Sequence, residues 1–246
     1  MPQVIGIVGY KDSGKTTLTH RLARELIGRG YEVAVIKHTS HHLDLPGKDT
    51  AILRESVGQV GIISAQESAL FWNKPLSLEN IIPYLEADIV LVEGFKTEKS
   101  FPKIACLRGE PDDRDLLDGL AICAVLSPSS QGGAEGEARV EGVDVPFLDR
   151  DAVIEIADMV ERRAFKLPNL NCGGCGYERC YDLAREIVAG TGSVEDCVSL
   201  QPATEVKIDG QPMPMNSFIS SIVKSTVLGV LAPLKGFRKG EIEIRI

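Results

Sequence analysis

No stretch of this 246-residue sequence approaches the roughly 18 consecutive apolar residues that a membrane-spanning helix requires. The longest candidate, SIVKSTVLGVLAPL (221–234), is short and carries Lys224. The opening residues, MPQVIGIVGY, have neither a charged leading region nor a cleavage site, so no secretory signal is read and a cytoplasmic protein is expected. Positive charge is in deficit: 27 Lys and Arg face 35 Asp and Glu, for a net charge of -8. That balance argues against a broad footprint for nucleic acid or an anionic membrane. An internal repeat is also lacking. So is the N-K-x-D signature for guanine, since Asn73-Lys74-Pro75-Leu76 begins like one but has no aspartate. The residues themselves therefore leave GTP and ATP open.

What is present is an alternation of apolar runs and amphipathic segments. QVIGIV (3–8), YEVAVIK (31–37), VGIIS (60–64), DIVLVEG (88–94), KIACL (103–107), AICAVL (121–126) and VPFLD (145–149) read as strands. Between them, 15–29, AILRESV, 77–86 and 150–163 read as helices, with Ser77 as an N-cap and Pro83 shortening its helix. Strands alternating with helices imply an α/β fold with a parallel sheet flanked by helices. The polar, glycine-rich segment 127–142 reads as a surface loop, and AFKLPNLN (164–171) as a linker. The tail suggests a small α+β unit: two short strands around an Asp-Gly turn in TEVKIDGQPMPM, a helix capped by Asn216 or Ser217, and an alternating strand EIEIRI (241–246). The division expected is 1–163, 164–200 and 201–246.

Residues 9–16, GYKDSGKT, fit the phosphate-loop pattern G-x-x-x-x-G-K-[ST], with a strand before and a helix after, as the motif requires. Its glycines let backbone N–H groups converge on phosphate oxygens, and the following helix presents its N-terminus to the anion. Gly9, Lys11, Asp12, Ser13, Gly14, Lys15, Thr16 and Thr17 are the nucleotide-binding candidates. Lys15 can reach the β- and γ-phosphates, and the Thr16 hydroxyl can hold Mg²⁺. A carboxylate is needed to orient the metal or a water. Glu93 ends a buried strand, where open α/β sheets keep their ligands, whereas Asp88 begins that strand and belongs at the opposite edge. The histidine-rich stretch KHTSHHLDLPGKD (37–49) offers His38, His41, His42, Asp44 and Asp49. Asp49 is the preferred second carboxylate there, and a polar surface loop is the alternative reading.

Six cysteines are present, and outside a secretory context disulfides are the less expected use. Four are clustered as Cys172-x2-Cys175-x4-Cys180-x16-Cys197. Zinc sites usually show two compact Cys-x2-Cys pairs, and here there is one. Cys180 opens an amphipathic helix, whose N-terminus favours a net-negative group. Gly173, Gly174 and Gly176 let the backbone wrap closely. Four thiolates so arranged suit a 4Fe-4S cluster, with zinc as the alternative. Cys106 and Cys123 lie within apolar strands and read as small buried hydrophobes.

Two resemblances follow from these stretches. GYKDSGKTTL (9–18), IKHTSHHLDLPGKDT (36–50), LVEGFK (91–96) and PKIACLR (102–108) occur in the order that resembles the molybdopterin-guanine dinucleotide biosynthesis protein B family, over residues 1–163. The resemblance implies a P-loop fold, GTP binding at 9–16, a homodimer, and an adapter that serves the guanylyltransferase attaching GMP to molybdopterin. Glu93 matches the glutamate of the family's V-E-G-F stretch. CGGCGYERCYDLAREIVAG with Cys197 is similar to a small 4Fe-4S domain of electron-transport and corrinoid enzymes, although Cys197-Val198-Ser199 replaces that family's usual Cys-Pro-Pro-Gly-Gly. Together they imply a cofactor adapter carrying a cluster of redox or docking role, with a molybdo- or tungsto-enzyme as client. No arginine finger or water-positioning glutamine can be assigned, so a GTPase of low turnover at most is expected. A nucleotide-dependent iron–sulfur carrier is the alternative, but Tyr10 stands where such carriers have a lysine after the first glycine. An electron-transfer accessory with a vestigial loop is the other, against which Gly14, Lys15 and Thr16 are complete.

Overall fold

A computed structural model describes residues 2–40, 43, 49–126, 145–200, 204–208, 210–238 and 242. β1 (Gln3–Gly9), β2 (Val33–Lys37), β5 (Ile89–Glu93), β6 (Lys103–Leu107), β7 (Ala121–Leu126) and β8 (Phe147–Leu148) form one sheet in the order β2-β5-β1-β6-β7-β8. Every pair in it is parallel. β1 and β5 are buried along almost their whole length, which is why they read as continuous apolar runs. The two-residue period nevertheless sorts their side chains. Ile5, Ile7, Ile89 and Leu91 face α1 (Lys15–Gly28) and α4 (Val153–Arg163), whereas Val4, Val90 and Val92 face α3 (Leu78–Ile81) and Phe101.

α1 buries Leu18, Leu22 and Leu26, one per turn, and ends where Gly30 adopts φ 96°. Arg29 ties α1 to α4, donating to Asp158 at 2.6 Å and Glu161 at 2.9 Å. α3 is short, as Pro83 predicts: after Ile81 the chain tightens into a 3₁₀ turn over Ile82–Tyr84. Ser77 stands at the N-cap, its N–H donating to Asn80 Oδ1 at 3.3 Å.

The sheet departs from the sequence reading at residues 59–72. VGIIS is a strand but not a member of the parallel sheet. As β3 (Gln59–Ile63) it pairs antiparallel with β4 (Ser68–Trp72), a strand the sequence reading missed. The turn is set locally: the Ser64 hydroxyl accepts from the N–H of Gln66 and Glu67, and Ser64 N donates to Glu67 O at 2.8 Å. Ser-Ala-Leu-Phe-Trp carries no strict alternation, so cross-strand pairing rather than periodicity defines β4. Asn73 is a staple here, its amide donating to Arg54 O and to Val57 O (2.6 Å) at the end of α2 (Asp49–Ser56).

The stretch 164–168, expected as a linker, is buried throughout. Phe165 and Leu167 pack with Leu120 against α5 (Cys180–Ala189). Lys166 between them is buried but fully partnered, donating to Glu79 (2.9 Å), Ser100 Oγ (2.8 Å) and Leu167 O (2.8 Å). The cysteine region is thus docked on the sheet rather than tethered. Tyr181 Oη donates to Asp118 O at 2.5 Å, Arg163 donates to Val188 O, and a Cβ on Gly119 would meet Arg185 Nε at 2.8 Å. Beyond it lie a hairpin of β9 (Lys207–Ile208) and β10 (Gln211–Pro212), then α6 (Ser217–Leu231), capped by Asn216, which accepts from Ile219 N at 2.9 Å. Segment 127–142 and all but Ile242 of the expected strand 241–246 lie outside the described residues. Among the described residues no helix is long and apolar enough to cross a membrane.

Candidate functional site

The C-terminal ends of β1, β2 and β5 converge because these strands are neighbours in register: Ile7 opposes Glu93, and Lys37 opposes Glu93 from the other side. The loop leaving β1 takes the curled form its sequence predicts. Asp12 and Gly14 adopt φ 63° and 78°, the left-handed backbone from which an anion-binding concavity is built. Gly9 is required by packing, since a Cβ there would stand 2.7 Å from the Cys106 carbonyl. Ser13 is wholly buried, whereas Lys11, Asp12, Thr16 and Thr17 are exposed at the mouth. Lys15 Nζ bonds to Tyr10 O and lies 3.3 Å from Ser13 Oγ, and burial pulls its pKa below the ordinary lysine range.

Glu93 is 5% exposed, and its Oε1 accepts from Thr16 Oγ1 at 2.8 Å. Asp88 sits at the far end of the strand, bonded to Glu32 N at 2.9 Å. Asp49 is exposed at the start of α2, so of the two carboxylates it is Glu93 that the fold joins to Thr16. Of the histidine stretch, His38 packs edge-on against Phe95 with ring centroids 5.0 Å apart, and its backbone N–H donates to the Glu93 backbone carbonyl at 2.9 Å. His41, His42, Asp44, Pro46 and Gly47 lie outside the described residues.

Three features at this site escaped the sequence reading. Lys37 Nζ is 2.9 Å from Glu93 Oε1 and 3.2 Å from Thr16 Oγ1. Its place at the C-terminal end of a strand beside β5 was the available signal. Arg150, 137 residues from Ser13, reaches back from the loop after β8 and donates to Ser13 O at 3.2 Å. No local pattern announces it. Tyr10 is flanked by Lys96 and Arg108, 3.8 and 4.6 Å from its ring centroid.

The four clustered cysteines line one pocket with Leu170, Tyr177 and Ser199. Cys180 and Cys197 form its buried floor, and Cys172 and Cys175 are half exposed. The surrounding backbone is shaped for sulfur. Asn171 N lies 3.4 Å from Cys180 Sγ while its side chain accepts from Cys180 N at 2.8 Å, and Gly173 and Gly176 take positive φ. Ser199 Oγ lies 3.4 Å from Cys172 Sγ and, with the Gly174 backbone, draws that thiol's pKa below the ordinary range. Burial pushes Cys197 up. All six cysteines are free thiols, and burial pushes Cys106 and Cys123 up to about 12.

A parallel sheet whose central strand feeds a phosphate nest, with a carboxylate delivered from the adjoining strand, defines a P-loop-type α/β protein. The particular lineage is also defined: the chain belongs to the molybdopterin guanine dinucleotide synthesis protein B family, whose model matches residues 4–127. A second model, described as "Putative Fe-S cluster", matches residues 167–199. The chain is 31% identical over 242 residues to a protein of Methanocaldococcus jannaschii named "Putative molybdopterin-guanine dinucleotide biosynthesis adapter protein", covering 95% of this chain and 92% of that one. It is 40% identical over 171 residues to the "Molybdopterin-guanine dinucleotide biosynthesis adapter protein" of Haemophilus influenzae, covering 64% and 87%. The crystal structure of Bacillus subtilis MobB has the same fold, with a TM-score of 0.50, 22% identity, and coverage of 66% of this chain and 98% of that one.

The thiol environments give a direct test. In cluster-free folded protein at pH 8, iodoacetamide is expected to modify Cys172 well before Cys106 and Cys123, which stay unmodified until the chain unfolds. Peptide mass spectrometry over time reads the order, and early labelling of Cys106 would contradict the burial described here.

Proposed function

We propose that this protein is a Mg²⁺·GTP-binding adapter in molybdopterin-guanine dinucleotide biosynthesis, carrying a 4Fe-4S cluster on Cys172, Cys175, Cys180 and Cys197. The observation that carries the reading is the match to this family over residues 4–127 together with the Thr16–Glu93 pair at the mouth of the phosphate nest. The chain's own residues divide the work. Backbone N–H groups of 12–16 cradle the phosphates, Lys15 turns from Tyr10 O to the terminal phosphates, and Thr16 with Glu93 holds Mg²⁺. The guanine preference comes from the relatives' printed role and not from a base-reading motif. Arg150 is engaged with Ser13 O on the loop's carbonyl side, so turnover is low at most.

The donor set of the cysteine pocket suits a cluster: four thiol side chains, two of them buried, with backbone glycines and the N-terminus of α5 to stabilise negative charge. When bound, the cluster supplies one-electron chemistry. We place the three units at 1–163, 164–200 and 201–246, in the cytoplasm, with a molybdopterin guanylyltransferase and a molybdo- or tungsto-enzyme as partners. A homodimer is favoured by the apolar side chains left uncovered around the β3–β4 hairpin, among them Ile63 (86% exposed), Leu53 (56%) and Leu70 (49%). The alternative, a nucleotide-dependent cluster carrier or electron-transfer accessory, predicts transfer of the cluster or electrons to an acceptor and no affinity for the guanylyltransferase.

Three measurements test this. Equilibrium dialysis with Mg²⁺ is expected to show GTP bound at least about tenfold more tightly than ATP, and Lys15→Ala to weaken GTP by about a hundredfold, two charge-assisted contacts being worth roughly 3 kcal/mol. Preference for ATP would return the carrier reading. Anaerobic purification should give about four iron and four sulfide per chain, while one zinc without sulfide would make the module a structural staple. Light scattering is expected to report a dimer that the double variant Ile63→Glu, Leu70→Glu converts to monomer, and a wild-type monomer would remove the dimer from the reading.

A further inference from the structure

The position of Lys37 is more specific than an ordinary ion pair. Glu93 is buried to 5% exposure, and a carboxylate so placed requires a cationic partner. Its partner comes from β2, which runs parallel beside β5, so that Lys37 stands opposite Glu93 in register. The ammonium does not contact Glu93 alone. It lies 2.9 Å from Glu93 Oε1 and 3.2 Å from Thr16 Oγ1, between two oxygens that are themselves 2.8 Å apart. In an octahedral Mg²⁺ shell with metal–oxygen distances of about 2.0–2.1 Å, adjacent ligand oxygens are about 2.9 Å apart. The two oxygens that Lys37 bridges are therefore already at the spacing of neighbouring corners of that shell.

We propose that Lys37 is an internal cation that competes with Mg²⁺ for Thr16 and Glu93, and that the arriving metal–nucleotide displaces it onto the terminal phosphate. The proposal rests on the nucleotide reading above and adds a residue role to it. Two like charges cannot occupy one pair of oxygens at this distance, so metal at Thr16 and ammonium at Glu93 exclude one another. The lysine stem is flexible, ends in a point charge with three donors, and is half exposed on the solvent side of Glu93, so it has somewhere to go. Free Mg²⁺ gains little at this site because it must evict an ammonium that receives nothing in return. Mg²⁺ bound to a triphosphate brings an anionic oxygen for the displaced ammonium. The site thereby favours the complete metal–triphosphate over either the metal alone or the diphosphate.

Lys37→Met, which keeps the stem and removes the charge, separates the two halves of the idea. Mn²⁺, counted by its spin resonance signal in the absence of nucleotide, is expected to bind the variant about tenfold more tightly than wild type, because Glu93 loses its competing cation. The preference for GTP over GDP in Mg²⁺ is expected to fall by about tenfold, because the contact to the terminal phosphate is lost. Lys37→Arg, which retains the charge, should restore weak Mn²⁺ binding. Unchanged Mn²⁺ affinity in Lys37→Met overturns the competition, and an unchanged GTP-to-GDP ratio overturns the displacement. Should Lys37→Met melt far below wild type, Lys37→Gln is read in its place. If wild type binds no nucleotide, the adapter reading fails while the Mn²⁺ comparison still decides the role of Lys37.

Discussion

A carboxylate buried at the end of a β-strand must be paired, and the pairing of Glu93 organises the phosphate-loop half of this molecule. It requires β2 and β1 on either side of β5, because only then do Lys37 and Thr16 reach the same oxygen. It requires α1 to start immediately after the phosphate loop, which the left-handed Gly14 permits. It also requires the chain to turn sharply after the strand. Gly94 (φ 96°) and Phe95 (φ 45°) provide that turn, and a Cβ on Gly94 would crowd His38 Cβ at 2.9 Å. The constraint at this corner is steric, and the chemistry is placed by it.

The cysteine half depends on a different buried charge. Lys103, 1% exposed, donates to Asp118 Oδ2 at 2.8 Å and to Lys96 O at 2.8 Å, and Lys99 bonds the same carboxylate. Burial alone would push Asp118 up, but Lys103 and Lys99 outweigh it and hold the carboxyl below its usual range. Burial draws Lys103 down, and the pair stands because its members satisfy one another. Asp118 then offers its backbone carbonyl to Tyr181, the residue after Cys180. Removing the carboxylate would strand the Lys103 ammonium, at a cost of about 3–5 kcal/mol, and would loosen the seat of the cysteine module as well as the sheet.

How much of this the sequence discloses depends on the range of the interaction. The phosphate loop is legible because strand, glycines and helix are contiguous, and Glu93 because the end of a buried parallel strand is a place of known meaning. The four cysteines are legible by spacing. Arg150 is not, since it acquires its partner through a chain return without a local signature, and Lys37 is so only in part, since its place at the end of β2 is legible while its neighbour β5 is set by strand order. The β3–β4 hairpin was half legible: Gln59–Ile63 has strand composition, while its pairing direction is set by Ser64 and by β4, whose own sequence is weakly patterned. Residues 164–168 misled because Pro168 ends them and Asn169 follows, although Phe165 and Leu167 are core residues and Lys166 is a buried cation.

That misreading bears on why a phosphate loop and a cysteine cluster share a chain. A linker would let the cysteine module move independently of the phosphate loop. Here Phe165, Leu167 and Leu120 form one apolar cluster with Leu183, Cys180 and Cys197, so the module shares a core with the edge of the sheet. One segment also serves both halves. It leaves Glu93, lays Lys96 over Tyr10 of the phosphate loop, and delivers Lys99 and Lys103 to Asp118 beneath Tyr181. From the Thr16 hydroxyl to the Cys180 helix, hydrogen bonds through Glu93, Lys96, Lys103 and Asp118 link the described residues. The cysteine module is therefore packed against the body that carries the phosphate loop, and the two motifs are joined by a shared core rather than by a free linker.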